Sequence, residues 1–330
     1  MNMAGGEEMA EPRPVVGLVL SSGGPRGAAH VGVLKVLEEH GIPIDIVVGT
    51  SIGAMVGGAY AAGVPLSRIE EEWLKTDLLK VAKSFLPTFP LHGWSSGSNI
   101  SRMLQGVVGE VRIEDLPLKF AAIATDIETG KEVIIREGPL AEAMRASSSV
   151  PGLFVPVELD GRLLVDGGLV NPLPVDVARR LGAEVVIAVD VGYYPRRNAR
   201  SGPGRRLPKR ALKFLGERFG GLLPGLPMRS RLTPKEREEL RRSAPGVISI
   251  LILASLVLQR RIVELSLQLS PPEVLIRPDL EENPPRYHQA RKGIEAGEEA
   301  ARRAITRIEE FLTFGTRPDR RGRGVEPIQM

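Results

Sequence analysis

Three short stretches of this sequence hold residues able to do chemistry. The first is Gly49-Thr50-Ser51-Ile52-Gly53. A serine presented as a nucleophile on a sharp strand-to-helix turn needs small residues two positions before and two after it, because the backbone doubles back on itself there. Gly49 and Gly53 meet that need, with an apolar run at 44–48 before them and a small-residue helical stretch to about Ala62 after them. The competing reading is an ordinary turn of small residues made for close packing. The second stretch is Ser22-Gly23-Gly24-Pro25-Arg26-Gly27, directly after an apolar run at 15–20. Glycines here let backbone N–H groups point into one cavity at a helix N-terminus, where they hold an anion or a developing oxyanion. A dinucleotide loop is the other use of such glycines. Against it, Ser22 stands where the first glycine of G-x-G-x-x-G belongs, and Asp45 falls at the start of the second strand when the acidic residue should follow its end. No Gly-Lys-Ser/Thr is present for a P-loop.

A nucleophilic serine needs a base. Asp166 ends an apolar strand at 163–166 and is followed by Gly167 and Gly168, so it projects at the carboxyl edge of a sheet, where Ser51 also sits. A carboxylate within hydrogen-bond reach can take the serine proton directly. The alternative is the order Ser…Asp…His, in which the histidine comes late in the chain. Only His288 could fill that place, and it lies in the polar stretch Arg286-Tyr287-His288-Gln289 with no glycine turn beside it. His30, next to the glycine loop, sits on a helix expected to face the sheet, which suits a structural role.

The elements that position these residues read as strand–turn–helix twice in the first fifty or so residues, the opening of an α/β fold. Residues 28–39 are helical in period, with Gly41 as a C-terminal cap. Helices are expected at 67–83, 98–108, 140–147 and 174–181, and strands at 119–126, 132–135 and 184–191. A long helix is expected from Val247 to about Leu269, then a strand at 273–277 and a helix from Arg286 to about Phe314. The apolar run 247–258 is too short to span a bilayer, which takes ~20 residues. Being apolar almost all round, it is expected to be buried.

In this order, the three stretches resemble the patatin-like phospholipase family. Gly23, Gly24, Arg26 and Gly27 match its G-G-x-R-G oxyanion motif. Ser51, between Gly49 and Gly53, matches its nucleophile elbow. Asp166-Gly167-Gly168 matches its D-G-A/G motif, with Asp166 as the base. The stretches 124–130, 145–157 and 171–175 are also similar, so the resemblance is close over 15–191 and looser over 247–314. Ser22 departs from it, standing where many members carry a third glycine, and Pro25 has no N–H to donate. The resemblance implies a three-layer α/β/α fold with a mostly parallel central sheet. It implies hydrolysis of fatty acyl esters, often of phospholipids, with no metal and no nucleotide cofactor. Under it Arg26 braces the glycine loop through its side chain and offers its N–H as well.

Composition sets the outer limits. The 330 residues are 42% hydrophobic and contain no cysteine, which rules out disulfides, thiolate metal sites and cysteine nucleophiles. Four scattered histidines without helical ligand spacing argue against a histidine metal site. The acidic, Gly- and Ala-rich start has neither the basic nor the apolar part of a signal peptide, so a cytoplasmic protein is expected. One catalytic domain is expected over 14–314, after a flexible stretch at 1–13 and before a disordered tail at 315–330. It carries a Pro/Gly-rich insertion at 195–246, and residues 196–242 hold fifteen Lys and Arg against four Glu in a chain whose net charge is only +4. That segment is either a solvated loop, a cap over the site or a contact with anionic membrane. Aromatic interleaving is too sparse for nucleic acid. The partner expected is a lipid or other acyl-ester substrate. A non-catalytic lipid-binding protein of the same fold is the competing function.

Overall fold

Three runs rich in β-branched residues, Val16–Leu20 (β1), Ile46–Thr50 (β2) and Val185–Val189 (β7), are buried along their whole length, as strands covered on both faces must be. They form the middle of an eight-stranded sheet in the computed structural model of the chain, which describes residues 13–75, 98–192, 247–280 and 290–314. The remaining strands are Lys119–Asp126 (β3), Glu132–Ile135 (β4), Val157–Leu159 (β5), Arg162–Asp166 (β6) and Val274–Ile276 (β8). The strand order is β5-β6-β3-β2-β1-β7-β8, with β4 on β3. Pairings from β3 through β8 are parallel, and those of β4, β5 and β6 are antiparallel.

Side chains alternate across this sheet into two separate cores. Leu18 and Leu20 face one side, with the helices Ala28–Glu39 (α1), Ile52–Ala61 (α2), Leu66–Lys75 (α3), Ser98–Val108 (α4), Leu140–Ser147 (α5) and Ala290–Phe314 (α8). Val19, Val48 and Ile123 face the other, with Val175–Arg180 (α6) and Val263 of Val247–Leu269 (α7). The result is the expected three-layer α/β/α arrangement around a mostly parallel sheet.

Chain contacts divide the molecule into one unit of residues 1–193 with 257–330, and a second of residues 194–256. In the second, only the start of α7 is among the described residues. The expected insertion at 195–246, the terminal stretches 1–12 and 315–330, His92, His288 and the helix beyond Lys75 lie outside them. No helix among the described residues is long and apolar enough to cross a membrane.

The pairing of β3 decides where the chemistry can lie. Ala122 and Ile123 pair with β2 on one edge and β4 on the other, while Ala124 and Thr125 pair with β4 and β6. Strands β2 and β6 therefore share one edge of β3, end to end. Thr50 lies opposite Ile123 and Asp166 opposite Ala124, so the two strands terminate against each other.

Two expectations need correction. Strand β5 was not anticipated, although its hairpin signal is plain: Asp160-Gly161, both at positive φ (49° and 70°), joins it to β6 in the manner of a type I′ turn. The run 247–258 was expected to be buried, yet Leu253, Val257 and Leu258 are 49%, 64% and 64% exposed. Periodicity cannot choose a buried face in a helix that is apolar all round. Here α7 reaches the core with Val263 instead.

Helices α1 and α8 cross at backbone contact. A Cβ on Gly32 would lie 2.0 Å from Ile294 O, and one on Gly297 would lie 2.1 Å from Ala29 O. We expect Gly32→Ala to lower unfolding free energy in urea by about 1–3 kcal/mol through overpacking. Gly106→Ala on α4, where nothing lies within 4 Å of the added carbon, should be neutral or stabilising by up to about 1 kcal/mol. Equal effects at the two positions would contradict the tight crossing.

Candidate active site

Strand β2 continues through Gly49 to Thr50, and the chain reverses in one residue. Ser51 has φ 56° and ψ −120°, and α2 starts at Ile52. So abrupt a turn presses α2 back onto the strands that precede it. A Cβ on Gly49 would stand 2.5 Å from Ala54 N, and one on Gly53 would stand 2.1 Å from Leu20 O. Ser51 is held in this conformation from both sides. Its N–H donates to Ser147 Oγ at 2.8 Å, and the Ser147 hydroxyl donates to Ile123 O at 2.6 Å. Its carbonyl accepts from Ala54 N at 2.9 Å, Met55 N at 3.1 Å and Ser148 Oγ at 3.2 Å. Thr50 Oγ1 donates to Asn171 O at 2.8 Å.

The end-to-end placement of β2 and β6 brings the two candidate side chains together: Ser51 Oγ donates to Asp166 Oδ2 at 2.5 Å. The other carboxylate oxygen accepts the Gly168 N–H at 2.7 Å. The Asp166 backbone is pinned too, its N–H on Ser149 O at 2.9 Å and its carbonyl taking the Thr125 hydroxyl at 2.9 Å. Both residues are buried, Asp166 at 4% exposure. Burial pushes Asp166 up to about 6, with the hydrogen bonds from Ser51 and Gly168 pulling the other way. It thus remains largely ionised near neutrality while being far more basic than an exposed aspartate.

No described histidine touches this pair. His30 is wholly buried, its Nε2–H donating to Ser21 O at 3.0 Å, and burial lowers it to about 4, so it is a neutral brace. His40 bonds Val36 O on its own helix.

The glycine loop lies beside the elbow because β1 and β2 are parallel neighbours, with Leu20 opposite Gly49. Gly23 is extended, Gly24 is at φ 56°, and Gly24–Gly27 forms a single 3₁₀ turn that runs into α1. A Cβ on Gly23 would stand 2.6 Å from Val191 Cγ2, and one on Gly27 would stand 2.3 Å from Ile52 Cγ1, so loop and elbow are packed without room for side chains. The Arg26 N–H is engaged inside the turn, donating to Gly23 O at 3.3 Å, and its guanidinium donates to Gly192 O at 2.9 Å beyond β7. Arg26 thus sits as a brace, and the backbone donors that remain at the head of the loop are those of Gly23 and Gly24. The N-termini of α1 and α2 converge here, and their partial positive charge favours an anion between them.

Two residues at the site were not singled out in the sequence. Ser147 fixes the elbow, and Gln259 of α7 accepts the Ser22 hydroxyl at 2.8 Å. Three successive buried serines, Ser147, Ser148 and Ser149, closing an apolar helix were a usable sign of the first. Nothing near Gln259 marks it. No group of three potential metal ligands occurs among the described residues.

Residues 18–179 match the family model for patatin-like phospholipase, and over this span the chain is similar to that family. An uncharacterized NTE family protein of Mycobacterium tuberculosis is 40% identical over 195 residues, 58% of this chain and 52% of that protein. Human patatin-like phospholipase domain-containing protein 6 is 42% identical over 183 residues, 54% of this chain but 13% of the human protein. The chain thus spans about half, or much less, of the length of the curated relatives it matches. Among solved structures, VipD from Legionella pneumophila covers 91% of this chain and 67% of its own, with a TM-score of 0.44 and 13% identity.

Because the folded state raises Asp166 above its ordinary value near 3.8, folding takes up a proton between that value and about 6. Its contribution to stability is therefore fully present below about pH 4 and is lost as pH rises through about 6. Asp166→Asn, neutral at every pH, should be more stable than wild type at pH 7 by up to about 3 kcal/mol, the gain shrinking toward zero near pH 4. Urea denaturation at the two pH values measures this, and a variant less stable at pH 7 would contradict it.

Proposed function

We propose that the chain is a serine acyl-ester hydrolase acting on lipid acyl esters through a Ser51–Asp166 dyad. The observation that carries this reading is the 2.5 Å hydrogen bond from a strained-turn serine to a buried, strand-end carboxylate facing a glycine loop. The lipid substrate class is supported by the family match and by the relatives named as patatin-like phospholipase domain-containing proteins.

In this mechanism Ser51 Oγ attacks the ester carbonyl carbon while Asp166 Oδ2 takes the hydroxyl proton. Negative charge gathers on the carbonyl oxygen and is held by the Gly23 and Gly24 N–H groups and the two helix N-termini. Each such donor contributes about 3 kcal/mol in the transition state. The tetrahedral species collapses, the C–O bond to the alcohol breaks, and Asp166 returns the proton to the departing alkoxide. Water then attacks the acyl-serine as Asp166 accepts its proton. Collapse releases the fatty acid, and the proton goes back to Ser51 Oγ.

Ser51→Ala and Asp166→Asn should each reduce hydrolysis of p-nitrophenyl butyrate and octanoate at least a thousandfold, and Ser51→Ala should abolish fluorophosphonate labelling. In the wild type kcat/KM should rise with pH through an acid limb near 6, set by Asp166. Labelling that persists in Ser51→Ala would remove the serine assignment. Folded wild-type protein that neither labels nor hydrolyses any acyl ester would point to lipid binding without turnover.

A further inference from the structure

The long helix α7 lies outside the span matched to the family, yet it reaches the site through one side chain. Gln259 Oε1 accepts the Ser22 hydroxyl at 2.8 Å, at the head of the glycine loop. The same amide group lies close to the base turn. A Cβ built on Gly168 would stand 3.0 Å from both Gln259 Cδ and Gln259 Nε2, and 2.9 Å from Asp166 Oδ1. The amide nitrogen and the carboxylate oxygen thus flank the same small space above Gly168. The amide oxygen is the end that meets Ser22. A glycine at position 22 could not make the hydrogen bond, and an alanine at 168 would take the room the amide occupies.

We infer that Gln259 is a positioning residue, tying the glycine loop at Ser22 and the base turn at Gly168 into one unit and thereby setting the distance between the oxyanion donors and the dyad. This rests on the acyl-hydrolase reading above. The two segments it joins otherwise meet mainly through backbone: Ser22 N–H donates to Pro172 O at 2.9 Å, a few residues past the base turn. The Ser22–Gln259 bond adds a side-chain link from a third element. That link is carried on α7, whose buried Val263, one helical turn further on, fixes the helix to the sheet.

The test uses the full-length chain as wild type, Gln259→Ala, Ser22→Gly and the double variant. Gln268→Ala, an exposed glutamine on the same helix, is the control. kcat and KM are measured on p-nitrophenyl butyrate, and unfolding in urea is followed alongside. Gln259→Ala should lower kcat by about ten- to a hundredfold, the usual result of a small misplacement of catalytic groups, with KM within about twofold. Ser22→Gly should lower kcat in the same direction, and the double variant should be no slower than the slower single, since both remove one tie. Gln268→Ala should match wild type. Wild-type kcat in Gln259→Ala, or a double variant whose loss is the product of the two single losses, would overturn the inference. If Gln259→Ala does not fold, Ser22→Gly alone decides it, and an unchanged kcat there is fatal. A wild-type chain without hydrolytic activity would instead defeat the acyl-hydrolase reading. The tie is then judged from the urea cycle of the same four proteins, in which coupled losses support it and additive losses overturn it.

Discussion

Everything at the site hangs on a turn with no room in it. Strand β2 must reverse into α2 within one residue, and the reversal forces Ser51 to φ 56°, a region that costs a residue with a side chain about 1–3 kcal/mol. The turn closes only because Gly49 and Gly53 carry no Cβ: the first would strike Ala54 N, the second Leu20 O. The strain persists because the hydrogen bonds to Ser51 over-determine it, from Ser147 on the N–H side and from Ala54, Met55 and Ser148 on the carbonyl side. The strained backbone is what turns the Ser51 hydroxyl away from the strand and toward β6.

Once Ser51 is aimed, the partner follows from sheet pairing. Strand β3 is eight residues long, and β2 pairs with only its first five. The rest of that edge is open to β6, which enters antiparallel and ends at Asp166, one pairing beyond Thr50. A carboxylate delivered this way lies directly on the serine, with no gap for an imidazole to bridge. Burial then supplies the basicity. In water an aspartate is a weak proton acceptor, but here it is pushed up to about 6. It is kept charged near neutrality by the Gly168 N–H and the Ser51 hydroxyl, both of which favour the ionised form.

Much of this geometry was legible in the sequence, because it is local. Gly49, Ser51 and Gly53 lie within five residues, and their spacing states the turn. The helices at Ala28–Glu39, Ser98–Val108, Leu140–Ser147 and Val247–Leu269 fall at the bounds their periodicity and caps imply. What stayed hidden is what depends on partners far away in the chain. Ser147 touches Ser51 across 96 positions and Gln259 touches Ser22 across 237. Gly293 and Gly297 have a reason in the structure only because α1 lies against them. Strand β5 is the exception: its Asp160-Gly161 turn is local and was readable. The exposed face of α7 was misread for the opposite reason, since a helix apolar on every side contains no record of which side it buries.

The candidate site residues fall within 18–179, but not all of the elements that hold them do. Strand β1, which ends in the glycine loop, is central only because β7 pairs along its outer edge from Val16 to Leu20. Residue 179 precedes that strand. A chain ending there would leave β1 with a row of unpaired backbone groups and its apolar faces half covered, a poor place to hold a loop whose donors must stay fixed. Helix α1, whose N-terminus faces the site, is likewise seated by Gly293 and Gly297 of α8. Val191 closes against Gly23, and Gly192 takes the Arg26 guanidinium. The candidate motifs are therefore the early half of a unit whose later half does the clamping. A comparison that matches only the early half sees the candidate groups but not the framework that holds them together.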